Sequence, residues 1–144
     1  MNISLFLQMA ADAEPDRIAL VCSSRRWSYS ELWQAAQGAA TNIAQSGCQF
    51  VALLDESSEA TPIALFGAAL AGVPYVPLNY RLADADLAAL LSRIAPAYAI
   101  GDVERIQRLN PDGHHACFKR ADFVSAAEAV AEPFVEPEHE DGGI

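Results

Sequence analysis

Phosphoryl or nucleotidyl transfer needs backbone N–H donors converging on phosphate oxygens with a cation beside them. In a sequence this shows as a glycine-rich loop next to a lysine. The 144-residue chain has one lysine, Lys119, in Phe118-Lys119-Arg120, away from any cluster of its 8 glycines. It contains no Gly-x-x-x-x-Gly-Lys, no Gly-x-Gly-x-x-Gly and no Gly-x-Ser-x-Gly. His114-His115-x-Cys117 offers metal-ligand side chains, but four ligands would need His139 or a distant cysteine, and the segment reads as a polar turn entering a strand. The carboxylate pairs Asp84/Asp86 and Glu138/Glu140 sit at expected helix starts or loops, where they suit capping and the helix dipole better than acid–base work. Trp27, Tyr29 and Trp33 cluster, and core packing accounts for them without a ligand. No catalytic, cofactor-binding or metal-ligating residue is assigned.

The elements that would position any site are clear from periodicity. Residues 3–13 read as a short amphipathic helix, and 17–23 with 26–28 as an antiparallel hairpin turning at Ser24-Arg25. Ser28-Tyr29-Ser30-Glu31 is a capping box, in which the serine hydroxyl accepts from the third helical N–H and Glu31 reaches back. The helix it opens carries Leu32, Ala35, Ala36, Ala39, Ala40, Ile43 and Ala44 as one stripe at helical period, and Gly47 ends it. Strands are expected at 50–54, 73–78, 97–100 and 116–118, alternating with helices at 58–71, 84–95, 102–109 and 122–131. This alternation predicts an α/β fold: a mostly parallel sheet with helices on both faces, in three layers, plus the small N-terminal hairpin. The 58–71 helix is apolar nearly all round, which predicts packing on two sides and an outer face in need of a partner.

A formal charge of −10 excludes sequence-independent nucleic-acid binding. The 3 cysteines (Cys22, Cys48 and Cys117) are widely spaced and fit reduced thiols in a cytoplasmic protein. The start has no basic region of a signal peptide, and the uncharged 60–80 stretch is interrupted by Pro62, Pro74, Pro77, Gly67 and Gly72, so no membrane span is expected. Residues 1–131 read as one α/β unit and 132–144 as an acidic Pro/Gly connector leading to a remainder.

Two segments carry a family resemblance. Trp27-Ser28-Tyr29-Ser30-Glu31-Leu32 resembles the (L/W)-(S/T)-Y-x-E-L motif of adenylate-forming enzymes, and Leu70-Ala71-Gly72-Val73-Pro74-Tyr75-Val76-Pro77-Leu78-Asn79 resembles their L-x-A-G-x-x-x-V-P-L-(N/D) segment. Pro15-Asp16-Arg17-Ile18-Ala19-Leu20-Val21 and the 81–91 helix follow the same family in register. The resemblance implies the N-terminal part of an ATP-dependent carboxylic acid–CoA ligase of the acyl-CoA synthetase kind, for a fatty or aryl acid, working through an acyl-adenylate. ATP, Mg and coenzyme A are implied for the parent enzyme and none for this chain. The implied partners are the remainder of that enzyme and a homodimer. The phosphate loop and catalytic residues of the family have no matching positions here, and this piece alone is expected to be inactive. Asn79 leans toward the acyl- and aryl-CoA ligases; a fatty-acyl–AMP ligase or a peptide-synthetase adenylation domain stays open. So does a freestanding interaction domain derived from the same fold, for which the apolar 58–71 helix is the motive. The Gly142-Gly143-Ile144 end favours the fragment reading. Two departures concern loops: no Gly-Asp precedes the 50–54 strand, and Ala83 stands where a capping Thr or Ser is common.

Overall fold

A computed structural model describes residues 3–56 and 58–135. In chain order the elements are α1 (Ser4–Ala13), β1 (Ile18–Cys22), β2 (Arg25–Ser28), α2 (Tyr29–Ser46), β3 (Val51–Leu54), α3 (Ala60–Ala71) and β4 (Tyr75–Pro77). There follow α4 (Asp84–Arg93), β5 (Tyr98–Gly101), α5 (Val103–Leu109), a 3-10 turn at Pro111–Gly113, β6 (Ala116–Phe118) and α6 (Arg120–Glu128). Of the expected 132–144 connector, residues 136–144 lie outside the described residues, as do His139 and the Glu138/Glu140 pair.

The hairpin β1–β2 stands apart as a two-stranded antiparallel sheet, while β4-β3-β5-β6 form a four-stranded sheet whose paired neighbours all run parallel. Apolar runs without alternation become strands buried on both faces, and β3 shows how. Val51 and Leu53 point into a core shared with α2, α3 and α6, whereas Ala52 and Leu54 point into a second core with α4 and α5. β5 divides likewise, Tyr98 and Ile100 to one side and Ala99 to the other. Tyr98 stacks on Phe118 with ring centroids 4.6 Å apart, and burial pushes its hydroxyl up to about 12. Pro74 and Pro77 are tolerated because β4 is an edge strand.

The capping box forms as read. Ser28 Oγ accepts from the Glu31 N–H at 3.1 Å, and Glu31 Oε1 accepts from the Ser28 N–H at 2.9 Å. Gly47 closes α2 in the left-handed region at φ 74°. Ala44, the last residue of the expected stripe, is exposed, and Gly38 joins the buried face instead.

Other expectations change too, and the last helix, expected at 122–131, runs Arg120–Glu128. The hairpin turns at Ser23–Ser24, with Ser23 at φ 56°, one residue earlier than read. Arg25 belongs to β2, where its guanidinium lies over the Trp27 ring at 3.6 Å and donates twice to Glu128. The outer flank expected on the 58–71 helix is covered only in part, and Leu65, Phe66, Ala69 and Leu70 of α3 stay partly exposed. α3 lies between the sheet and α2, so α2 supplies the second partner from within the chain. The large apolar side chains left exposed sit elsewhere, chiefly Phe6 (62%) and Met9 (58%) on α1 and Val21 (60%) on β1.

Candidate functional site

From β3 the chain goes out to β4 at one edge and then crosses to β5 on the other side of β3. In open α/β sheets the carboxyl ends of strands at such a reversal leave a crevice, the usual place for a ligand. Here it measures about 420 Å3 and is lined by Asp55 after β3, Gly101 ending β5, Asp102 after it, Glu104 on α5, and Lys119 and Arg120 after β6.

Each wall has a local cause. Gly101 has φ 118°, a conformation L-residues avoid, and a Cβ there would run into the Leu54 carbonyl oxygen. That close approach lets the Asp102 N–H donate to Leu54 O at 2.9 Å, after which Asp102 Oδ1 caps α5 by accepting from the Arg105 N–H at 3.2 Å. Arg120, the first residue of α6, donates through Nε to Asp55 Oδ2 at 2.6 Å and through Nη2 to Oδ1 at 2.7 Å. This planar two-point pairing is the strong form of an Arg–carboxylate contact. Hydrogen bonding from Arg120 holds the Asp55 carboxyl below the usual range even though burial opposes it, and Asp55 in turn raises the guanidinium. The pair fixes the turn into α6 against the end of β3.

What this crevice can bind follows from its charges. Asp55, Asp102 and Glu104 face Lys119 and Arg120, and Arg120 is already neutralised by Asp55. Lys119 is the N-cap residue of α6 and makes no side-chain capping bond. A polyphosphate would meet carboxylates and one uncommitted ammonium, so the crevice does not fit one.

The side chains singled out from the sequence are dispersed. His115 Nδ1 accepts from the Ala97 N–H at 2.9 Å, which places its proton on Nε2, 2.8 Å from Asn110 Oδ1. Both ring nitrogens are thus engaged, and among the described residues no group of three or more His, Cys, Asp or Glu side chains could hold a metal. Asp84 opens α4 and pairs with Arg105 and Arg108, while Arg105 also donates to the carbonyls of Tyr80 and Leu82. This clamp ties the start of α4 to α5, while no side chain caps the helix at Ala83. Asn79 Oδ1 accepts from the Arg81 N–H at 2.9 Å, a turn-forming bond that explains an Asn there without reference to substrate. Trp27 is fully buried with its indole N–H unpartnered, and Tyr29 and Trp33 pack on the same core. The Asp55–Arg120 pair joins residues 65 positions apart, and neither carries a local signal.

A family model described as AMP-binding enzyme matches residues 7–142. The medium/long-chain-fatty-acid–CoA/3-oxocholest-4-en-26-oate–CoA ligase of Mycobacterium tuberculosis is 27% identical over 121 residues, covering 80% of this chain and 22% of that protein. Tyrocidine synthase 1 of Brevibacillus parabrevis is 30% identical over 114 residues, covering 71% of this chain and 10% of its own. Among solved structures, the N-terminal domain of FACL13 from M. tuberculosis superposes with a TM-score of 0.80 at 25% identity, over 97% of this chain and 38% of that one. A benzoate CoA ligase from Burkholderia xenovorans LB400 gives 0.79 at 21% identity, over 94% and 30% respectively, a likeness of fold. The chain spans about a fifth of the length of the mycobacterial ligase it matches.

Proposed function

The chain belongs to the AMP-binding enzyme family, and we propose that it is the N-terminal α/β portion of a ligase that activates a fatty or aryl carboxylic acid as its acyl-adenylate and passes the acyl group to coenzyme A. The observation that carries this reading is the family match along nearly the whole chain, joined to relatives several times its length. ATP, Mg and coenzyme A belong to the parent enzyme, which we place in the cytoplasm, where the free cysteines Cys22, Cys48 and Cys117 stay reduced. Among the described residues, no helix is long and apolar enough to cross a membrane.

The role left to this chain is architectural. It supplies a sheet with both faces packed, and we assign it no catalytic residue. Stabilising charge on a transferring phosphoryl group takes converging donors and cations, and the crevice at the ends of β3 and β5 has its arginine bound to Asp55. Incubated with ATP, Mg and a panel of fatty and aryl acids, the isolated chain is expected to show no ATP–pyrophosphate exchange. Exchange that follows the protein through purification and varies with the acid would defeat the architectural reading. An interaction domain is the weaker reading, because α2 already packs along the helix that suggested it.

The exposed apolar side chains of α1 mark the surface that the remainder of the enzyme, or a second copy, would cover. Ile3, Leu5, Phe6 and Met9 are all more than two-fifths exposed. Light scattering on the isolated chain should therefore give a mass above that of the monomer, rising with concentration. The double substitution Phe6→Ser and Met9→Ser should bring it toward the monomer. A wild-type chain that is monomeric at every concentration would remove α1 as that surface.

A further inference from the structure

The edge strand β6 is held at both ends. At its carboxyl end the chain runs straight into Lys119 and Arg120, and Arg120 is clamped to Asp55. At its amino end stands His115, whose ring bridges two other segments of the fold. Nδ1 accepts from the N–H of Ala97, just ahead of β5, and Nε2 donates to the side chain of Asn110, just after α5. Next in line, the Ala116 N–H donates to Ala97 O at 3.0 Å and begins the β5–β6 ladder. Space for this ring is specific, since a Cβ on Gly113 would collide with both Asn110 Oδ1 and His115 Nε2.

We propose that His115 is an acid-sensitive latch that fixes the start of β6 to β5 only while its imidazole is neutral. The argument is one of donors and acceptors. Protonation puts a hydrogen on Nδ1, which then faces the Ala97 N–H, donor against donor. The Ala97 amide loses its acceptor, and a buried N–H left unpaired is costly. Among the described residues, none that lines the cavity beside the ring supplies a compensating carboxylate. The cavity beside the ring is lined from α5, the 3-10 turn and β6 by Ile106, Gln107, Asn110, Pro111, His114 and Cys117, among which only His114 and Cys117 titrate and neither supplies a carboxylate. Asp112 lies in the adjoining turn but is not among the lining residues. Burial acts in the same direction, lowering the pKa of His115 from its ordinary value of 6.5 and raising that of Cys117.

The sign follows from linkage. In the unfolded chain the imidazole takes its proton near pH 6.5, while the folded state takes it only at lower pH. Stability from the latch is complete above about pH 6.5 and is lost as the pH falls through the interval between the two values. Because β6 leads directly to Arg120, release of its start loosens one wall of the crevice at the ends of β3 and β5.

Two measurements test this in the full chain. The ring 15N shifts of His115 should show the Nε2–H tautomer at neutral pH and a titration midpoint below 6.5. A ring that is protonated on Nδ1 at pH 7.5, or that titrates at or above 6.5, would overturn the latch. Urea unfolding at pH 7.5 and pH 5.0 should then be compared with His115→Asn, whose carboxamide oxygen can accept from Ala97 without titrating. Wild type should lose more stability on acidification than the variant, by up to about thirtyfold in the unfolding constant, the ceiling if the ring stays neutral to pH 5. Equal losses in the two proteins would refute the proposal. Should the variant fail to fold, the wild-type ring titration decides alone.

Discussion

Replacing Gly101 with alanine should destabilise the chain by about 3–5 kcal/mol, read as a lower urea midpoint at unchanged slope. Two independent penalties coincide at this residue. Its φ of 118° lies where an L side chain is strained, which by itself costs on the order of 1–3 kcal/mol. The new Cβ would also meet backbone, the Leu54 carbonyl, which cannot rotate away as a flexible side chain could. Relief would require β3 and β5 to part at their carboxyl ends, where Asp102 N–H donates to the same Leu54 oxygen. Gly72 provides the control, with φ 74° but open space around it. Gly72→Ala should cost only the left-handed strain, about 1–2 kcal/mol. If the two variants have equal midpoints, close approach is not what selects glycine at Gly101.

The second large effect is expected at Gly38, where two contributions have opposite sign. In the interior of α2, Gly→Ala should gain about 1 kcal/mol of helix propensity. Against this, a Cβ at Gly38 would overlap the carbonyl oxygen of Ala127 in α6. Overpacking against rigid backbone costs about 1–3 kcal/mol or more. It would also pry α6 from α2 and disturb the Asn42 Nδ2 bond to Ala126 O, 3.2 Å long. The clash should win, leaving Gly38→Ala about 1–2 kcal/mol less stable than wild type by urea unfolding, with reduced amide protection in α6. A Gly38→Ala variant more stable than wild type would mean that α2 and α6 approach less closely than described.

Glycine at these two places was present in the sequence without its reason. Nothing within a few residues of Gly38 says that α6, nearly ninety positions later, will press its backbone there. The sequence did show that α2 is alanine-rich along one stripe, and the structure gives the cause. α2 crosses both α3 and α6 at short range, with Ala39 against Gly67 and Gly38 against Ala127. Periodicity recorded which face is buried, while the depth of approach depended on partners that periodicity does not identify. The same holds for the 58–71 helix, whose all-round apolarity announced two neighbours but not that α2 would be the second.

The alternation behind the candidate site was legible, while the strand order that creates the crevice was not. A doubly wound sheet implies a crevice where the strand order reverses, and the βαβ alternation was read directly from residues 50–118. Its lining was not. Asp55 and Arg120 carry no local signal that joins them, and only the fold brings them within 2.7 Å. His115 shows the same limit from the other side. Beside His114 and Cys117 it read as part of a polar turn entering a strand, and only tertiary contacts with Ala97 and Asn110 show both of its nitrogens committed to the fold.

Local chemistry along the chain determined the helix starts and stops, the strands apolar on both faces and the family motifs, because capping, turn formation and periodicity act over a few residues. Tertiary structure alone decided which charges pair, which glycines are indispensable and which apolar surface remains bare. Those outcomes depend on atoms far apart in sequence meeting at van der Waals distance, and the pattern of any single segment carries no record of its eventual neighbour.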